Sequence, residues 1–453
     1  MMMTVQEAAR ALDAEWCGED AFFTGVSTDS RMVGCGDLFV ALKGEKFDGH
    51  EFVAVAKKKG AVAAMVCQGS ETGNQESGIS LILVKDTRLG LGQLAVYWRG
   101  HFTVPLVAVT GSNGKTTVKE MIASILRQTA GSADRVLATE GNLNNDIGVP
   151  QMLLRLRAQH AYAVIEMGMN HAGEIAYLTG LAKPSVALIT NAGTAHLEGL
   201  GSVEAVARAK GEVFEGLDQM GVAIINADDP YAPLWRKLAG SRRVVDFGLG
   251  AGATVSACYQ LNLLNSTMTL TLPDGVEEVE LQVPGEHNVR NALAAAAATA
   301  AMGIGKKTIA LGLSRFSGVK GRMQKKRGLH EAMVIDDSYN ANPESVRAAL
   351  AVLAAFPGKK ILVLGDMGEL GGNAVALHEL IGEEARLAGV DRLLAVGELS
   401  AHTVAKFGAG ARHFERIEEL LAEVRTQLAA DATVLVKGSR FMQMERVVKE
   451  IEL

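Results

Sequence analysis

Apolar residues in this chain recur as short unbroken runs, each closed by small or polar residues. "VPLVAVT" (104–110), "AYAVIEMG" (161–168), "SVALITNAG" (185–193) and "GVAIINADD" (221–229) share this form. Runs of this length without alternation predict strands buried on both faces, the texture of a parallel sheet whose ligand edge lies where the runs end. Between them the period changes. "KTTVKEMIASILRQ" (115–128) places Val118, Met121, Ile122 and Ile125 on one helical face. Before residue 99, "GDLFVAL" and "GAVAAMV" alternate with glycine turns, predicting a small α/β unit. "VSACYQLNLLNSTMTLTL" (255–272) reads as antiparallel strands, and "NALAAAAATAAMGIG" from Asn291 as a tightly packed internal helix. "LSRFSGVKGRMQ" (313–324) reads as a linker into a last unit, where "KKILVLGDMGELGG", "DRLLAVGE" and "ATVLVKGSR" again look like strands feeding polar loops.

A length of 453 residues exceeds what one core serves, so two or three domains are expected. The net charge of −6 argues against general nucleic-acid binding. Four scattered cysteines with no C-x-x-C pair fit a reduced, cytoplasmic setting. The opening "MMMTVQEAARALDAEW" lacks the apolar core of a signal peptide, and no stretch predicts a membrane span.

The stretch "TGSNGKTT" (Thr110, Gly111, Ser112, Asn113, Gly114, Lys115, Thr116, Thr117) follows a strand and opens a helix. It departs from G-x-x-x-x-G-K-[ST], because Val109 stands where the first glycine belongs. The physics of a phosphate cradle remains. Glycines let backbone N–H groups face an anion, the helix start adds positive charge, and Lys115 can neutralise phosphates while the Thr116 or Thr117 hydroxyl holds Mg2+. Glu166, closing an apolar run, is either a magnesium carboxylate or a helix cap. His196 follows another strand the same way, and a loop histidine is more often structural than a ligand. Lys210, in "ARAKGEVFEGL", reads as a solvated helix lysine. No N-K-x-D guanine reader and no kinase motif set occurs, and "LGDMGELGG" does not give G-x-G-x-x-G at a helix start.

The shortened loop resembles that of the Mur ligase and folylpolyglutamate synthase superfamily of ATP-driven amide ligases. "STDSR", "GDLFVALKGEKFDGHEF", "TEGNLNNDIGVP", "EMGMN", "GEHNVRNALAA", "GRMQ", "IDDSYNANPESV", "LGDMGELG" and "KGSRFMQME" follow in family order over essentially the whole chain. "DDSYNANP" is similar to the branch that adds D-alanyl-D-alanine to a UDP-N-acetylmuramoyl-tripeptide. The diaminopimelate-adding branch typically shows "DYAHTPD" and "DNPR", which are missing here.

The resemblance implies three domains: a small α/β UDP-sugar domain (1–99), a central P-loop parallel sheet (100–321) and a Rossmann-like α/β domain (322–453). It implies ATP and Mg2+ as cofactors, a cytoplasmic monomer, and an acyl-phosphate mechanism. Lys115, Glu166, His196 and Lys210 would be catalytic. Thr116, Glu166, His196 and Lys210 would serve the metal, with Lys210 carbamylated into an anion. Asn288 and Asn291 match adenine-contacting asparagines, although Asn288 could instead cap its helix. Arg322 and Asp337, or its neighbour Asp336, would approach the ATP phosphates and ribose. Asn142, Asn144 and Asn145 would face substrate, Tyr339, Asn340 and Asn342 the dipeptide, and Lys437, Ser439 and Arg440 a carboxylate. Ser30, Arg31, Lys43 and His50 are candidates for UDP and sugar contacts. The resemblance leaves two rival classes: another ligase of the superfamily, and a non-catalytic ATP-dependent switch that retained the loop.

Overall fold

The computed structural model describes residues 2–69, 78–194 and 197–453. Three mixed or parallel sheets succeed one another along the chain. The first has five strands in the order Glu15–Cys17, Ser80–Val84, Ala63–Cys67, Asp37–Val40 and Gly25–Ser27, parallel except at the Glu15–Cys17 edge. The second is wholly parallel, in the order Arg243–Phe247, Val222–Asn226, Val186–Ile189, Leu106–Thr110, Tyr162–Glu166 and Val136–Ala138. The third runs Gln324–Arg327, Met333–Asp337, Ala432–Lys437, Lys359–Gly365, Arg392–Val396 and Ala411–Phe414, with only the first strand antiparallel.

The unbroken apolar runs are explained by what covers the central sheet. Along Leu106–Thr110, Leu106 and Ala108 enter one core while Val107 and Val109 enter another. Each such aliphatic side chain contributes roughly 1.5–3 kcal/mol when fully buried, so every residue of the strand favours the sandwiched position. On one face lie the helix Lys115–Ala130, the alanine-rich helix Glu286–Ala301 and the antiparallel sheet Ser256–Leu261, Ser266–Leu272 and Gly275–Leu281. Small side chains let that alanine-rich helix approach closely: Ala292 through Ala298 are buried without exception.

The other face is continuous with the core of the first sheet. Leu91, Leu94, Ala95 and Trp98 of the helix Thr87–Arg99 join both sets of strands in one cluster. Trp98 Nε1 donates to Leu156 O (3.0 Å) and Arg99 Nε to Ala182 O (3.0 Å), fixing the first unit on the second. The third sheet carries its own cores on its two faces. The stretch 313–324 is more than a linker. Phe316 is buried against the central unit, and Val319 pairs with Arg322 in an isolated bridge. Among the described residues, no helix is long and apolar enough to cross a membrane.

Candidate active site

The ligand edges of the second and third sheets face each other across a cleft of about 690 Å3. Its floor is the loop between Leu106–Thr110 and Lys115–Ala130. Gly111 has φ +147°, and an added Cβ would lie 1.8 Å from Thr190 Oγ1; Gly114 has φ +82°, with Asn291 Oδ1 at 2.3 Å from such a Cβ. Only glycine fits either position. The first helical bond runs from Val118 N to Gly114 O (2.8 Å), so the amides of Lys115, Thr116 and Thr117 are the helix's opening donors.

The structure redistributes the loop's expected roles. The Ser112 amide donates to Asn191 O (3.0 Å) and the Asn113 amide to Asn191 Oδ1 (2.9 Å), so these two hold the loop to the segment 190–194 rather than presenting donors to an anion. Gly193 N donates to Ser112 Oγ (2.9 Å), and Thr110 is fully buried with its hydroxyl on Met167 O (2.9 Å). Lys115 arcs over the loop and donates to the carbonyls of Gly111 (2.6 Å) and Ser112 (3.3 Å). Burial lowers its pKa, opposed by the Glu166 charge and reinforced by Arg322. Thr117 lines the cleft, whereas Thr116 Oγ1 accepts from Arg322 Nη2 (3.1 Å).

Glu166 ends its strand in register with Val109 and is 2% exposed. Its Oε1 accepts from Asn144 Nδ2 (2.8 Å), while its Oε2 is buried with no hydrogen-bond partner among the described residues. It caps no helix; the helix Glu174–Ala182 begins eight residues later after Gly173. Lys210 does not sit on a solvated face. The helix Val203–Gly211 packs on the helix Ala232–Ala239, and Lys210 is 1% exposed. It has no hydrogen-bond partner among the described residues, and burial together with the Lys115 charge pushes its pKa well down. His196 lies outside the described residues.

Asn288 and Asn291 are buried on the cleft side of the alanine-rich helix. Gly285 is that helix's N-cap, and Asn288 Nδ2 instead turns back to Pro284 O (2.8 Å), so Asn288 is not the cap. His287, which sequence reasoning passed over despite its place beside Asn288, also lines the cleft. Burial lowers its pKa, against the pull of the Asp337 carboxylate.

From the third sheet, Asp337 rather than Asp336 lines the cleft. Asp336 Oδ1 accepts from the Ser338 hydroxyl (2.6 Å). Asp337 Oδ1 accepts from Met323 N (3.1 Å), and its Oδ2 from Lys437 Nζ (2.5 Å). Lys437 also donates to Asn340 O (2.8 Å) and is 2% exposed on its side chain, so this ammonium is an internal post. Burial lowers its pKa, opposed by Asp337. Ser439 Oγ accepts from Gly368 N (2.7 Å) and donates to Ala341 O (3.2 Å). Arg440 remains at the mouth, 5.7 Å from the Tyr339 ring, while Arg322 stacks on the same ring at 4.4 Å with a buried Nε that has no hydrogen-bond partner among the described residues.

Two further contacts join Arg322 on Thr116 in closing the cleft across the units. Asn342 caps the helix Pro343–Ala354 with its Oδ1, and its Nδ2 donates to Asn113 Oδ1 of the phosphate loop (2.9 Å). Glu344 accepts from Thr194 N (3.2 Å) and from the Thr194 hydroxyl (2.7 Å). Glu344 had no sequence signal beyond a helix first turn.

Asn142, Asn144 and Asn145 line the opposite rim. The helix that follows reaches the first unit, where Gln151 Nε2 donates to Thr28 Oγ1 (2.7 Å), and Arg88 pairs with Asp146. Beyond that junction, Ser30 is half-buried and Arg31 is exposed on Asp29, whose pKa its guanidinium lowers to about 2. Lys43 is exposed near Asp48 (3.8 Å). His50 is buried, with Nδ1 on Asp48 Oδ1 (2.5 Å) and Nε2 accepting from Cys67 N (2.9 Å) at the end of the strand Ala63–Cys67, so both ring nitrogens are taken by the protein itself. These four stand outside the cleft.

Comparison with known proteins bears on the same arrangement. Three family models match in chain order: "Mur ligase family, catalytic domain" over 22–99, "Mur ligase middle domain" over 109–299 and "Mur ligase, glutamate ligase domain" over 321–440. The UDP-N-acetylmuramoyl-tripeptide–D-alanyl-D-alanine ligase of Escherichia coli (strain K12) is 42% identical over 99% of this chain and 98% of its own length. The crystal structure I of MurF from Acinetobacter baumannii matches with a TM-score of 0.92 at 38% identity, covering 99% of this chain and 98% of that one. The MurF ligase of Thermotoga maritima, solved in complex with ADP, matches with a TM-score of 0.84 at 27% identity, covering 95% and 98%.

Proposed function

From the premise that this chain belongs to the Mur ligase family, we infer that the cleft is where ATP, magnesium and the two peptide substrates meet. The protein is an ATP-dependent ligase that adds D-alanyl-D-alanine to UDP-N-acetylmuramoyl-tripeptide, forming the pentapeptide precursor of peptidoglycan. The tripeptide carboxylate takes the γ-phosphoryl group of ATP and ADP leaves. The dipeptide amine then attacks the acyl phosphate and inorganic phosphate leaves.

The observation that carries the site reading is Glu166 Oε2, a buried carboxylate oxygen without a partner among the described residues, beside the glycine loop and Lys115. A buried unpaired anion is costly unless a cation joins it. Mg2+ is held by one or two carboxylates plus phosphates and water rather than by a protein cage, and Glu166 offers one such carboxylate. Magnesium supplies charge neutralisation on the transferring phosphoryl group when bound. Glu166 and the Thr116 or Thr117 hydroxyl would hold it, with His196 and Lys210 as further partners.

Lys210 fits that role only as a carbamate. As an ammonium it would be buried beside Lys115 and repel metal; as a neutral amine it is a nucleophile for carbon dioxide, and the product is an oxygen anion. Lys115, with the helix's opening amides, screens charge as carboxylate approaches phosphate, and Arg322 adds a second cation from the third sheet. Asn288, Asn291 and Asp337 would hold the nucleoside. Tyr339, Asn340 and Arg440 would hold the dipeptide, with Arg440 rather than Lys437 as the carboxylate partner.

The boundaries 1–99, 100–321 and 322–453 divide the work into UDP-sugar, ATP and dipeptide domains. Ser30, Arg31 and Lys43 would touch the UDP sugar. ATP and nucleotide-linked sugars are cytoplasmic metabolites, which supports a cytoplasmic location.

Phosphate release from ATP with UDP-linked tripeptide tests the whole reading. D-alanyl-D-alanine should support turnover, while free diaminopimelate or glutamate should not. Turnover with diaminopimelate would reassign the amine site. ATP hydrolysis indifferent to both substrates would favour a switch over a ligase.

A further inference from the structure

Lys119 lies one turn beyond Lys115 on the same face of the phosphate-loop helix, yet its side chain is only 1% exposed. Neither it nor Thr139 lines the cleft. Its Nζ donates to Thr139 O (2.7 Å) and pairs with Glu120, which Arg127 also approaches (3.7 Å). Thr139 is itself 1% exposed, and its Oγ1 accepts the backbone amide of Glu166 (2.9 Å). Its own amide donates to Val164 O (3.0 Å), continuing the strand register past Ala138.

The segment that starts at Thr139 then reaches Glu166 a second time, through Asn144 Nδ2 on Oε1 (2.8 Å). One stretch of chain therefore grips both the backbone and one carboxylate oxygen of Glu166, leaving Oε2 with no partner among the described residues. The root of that stretch is tied to the phosphate-loop helix by Lys119. An apolar side chain of similar volume would fill this space with less desolvation cost. What it could not do is hold the Thr139 carbonyl.

We propose that Lys119 and Thr139 are positioning residues: they set Glu166 against the phosphate loop, so that Oε2 and the Lys115 ammonium keep one fixed separation. This rests on the reading of Glu166 as the magnesium carboxylate. Partners that orient a metal ligand from behind alter metal affinity by about 10–100-fold when removed. The same range is expected here, with no change in the ADP-binding contacts themselves.

The test uses Mn2+ as the probe, titrated into the ADP-loaded full chain and followed by electron paramagnetic resonance. Thr139→Val, which keeps the shape and removes the hydroxyl, should weaken Mn2+ binding about tenfold or more, and Thr139→Ser should restore it. Lys119→Met should weaken it likewise while far-ultraviolet circular dichroism stays native. Glu166→Gln is the reference. If it weakens Mn2+ strongly while Thr139→Val and Lys119→Met bind as the parent does, the positioning role is overturned and the Glu166 reading stands. If Glu166→Gln itself binds Mn2+ as the parent does, the Glu166 reading fails and the positioning role with it. Should Thr139→Val not fold, Lys119→Met decides, because its methylene chain preserves the packing.

Discussion

Burial removes the water that would solvate an ammonium, so Lys210, enclosed near Lys115, titrates well below the ordinary lysine value of 10.5. Unmodified, the folded chain binds fewer protons at this site than the unfolded chain at any pH from the lowered value up to 10.5. Stability should therefore rise with pH through that window in carbon dioxide-free buffer, and Lys210→Met should flatten the slope. Urea midpoints measured at increasing pH check the sign; equal slopes would mean that Lys210 is solvated. For activity, Lys210→Ala should lose about 100-fold or more, and added acetate should restore part by returning oxygen donors. Short amines should not. An intact-mass increment of one carbon dioxide on Lys210 would report the modification directly.

At the scale of elements, the strand–loop–helix unit shows how local rules and neighbours share the outcome. The glycine positions in "TGSNGKTT" and the helix after it were legible, because φ freedom and apolar period are properties of a few adjacent residues. Which amides point at the ligand was not. Asn191, in the loop after a neighbouring strand, takes the Ser112 and Asn113 amides and leaves the helix start to do the work. Gly114→Ala tests how tightly the loop is specified. Its left-handed φ of +82° costs about 1–2 kcal/mol for a residue with a Cβ, and that Cβ would press on Asn291 at 2.3 Å. The unfolding midpoint should fall, and ADP affinity by calorimetry should drop about tenfold or more, since Asn291 must move. Unchanged ADP affinity would place the nucleotide elsewhere.

At the scale of the whole molecule, closure depends on a few polar contacts between the third unit and the central one, whose cores are separate. Asn342 on Asn113, Glu344 on Thr194 and Arg322 on Thr116 connect the third sheet's loops to the phosphate loop and its neighbour. Glu344→Ala should leave nucleotide affinity within about twofold, lower kcat by about tenfold, and enlarge the ADP-bound radius of gyration in X-ray scattering. A normal kcat with unchanged scattering would show that closure does not use this contact. The sequence by itself determined the succession of α/β units, the parallel central sheet, the packed alanine-rich helix and the phosphate loop, together with the family its motifs spell. The elements follow from apolar runs, helical period and glycine freedom, all set within short stretches of chain, and the family from the resemblance of its motifs. Tertiary structure alone decided the fate of the charged side chains. Lys210 occupies a polar position of its helix and reads as solvated until other elements exclude water from it. Lys437 reads as a carboxylate binder until Asp337, 100 residues earlier in the chain, takes its proton donors. A lysine's chemistry depends on which distant groups share its space, and only folding brings those groups together.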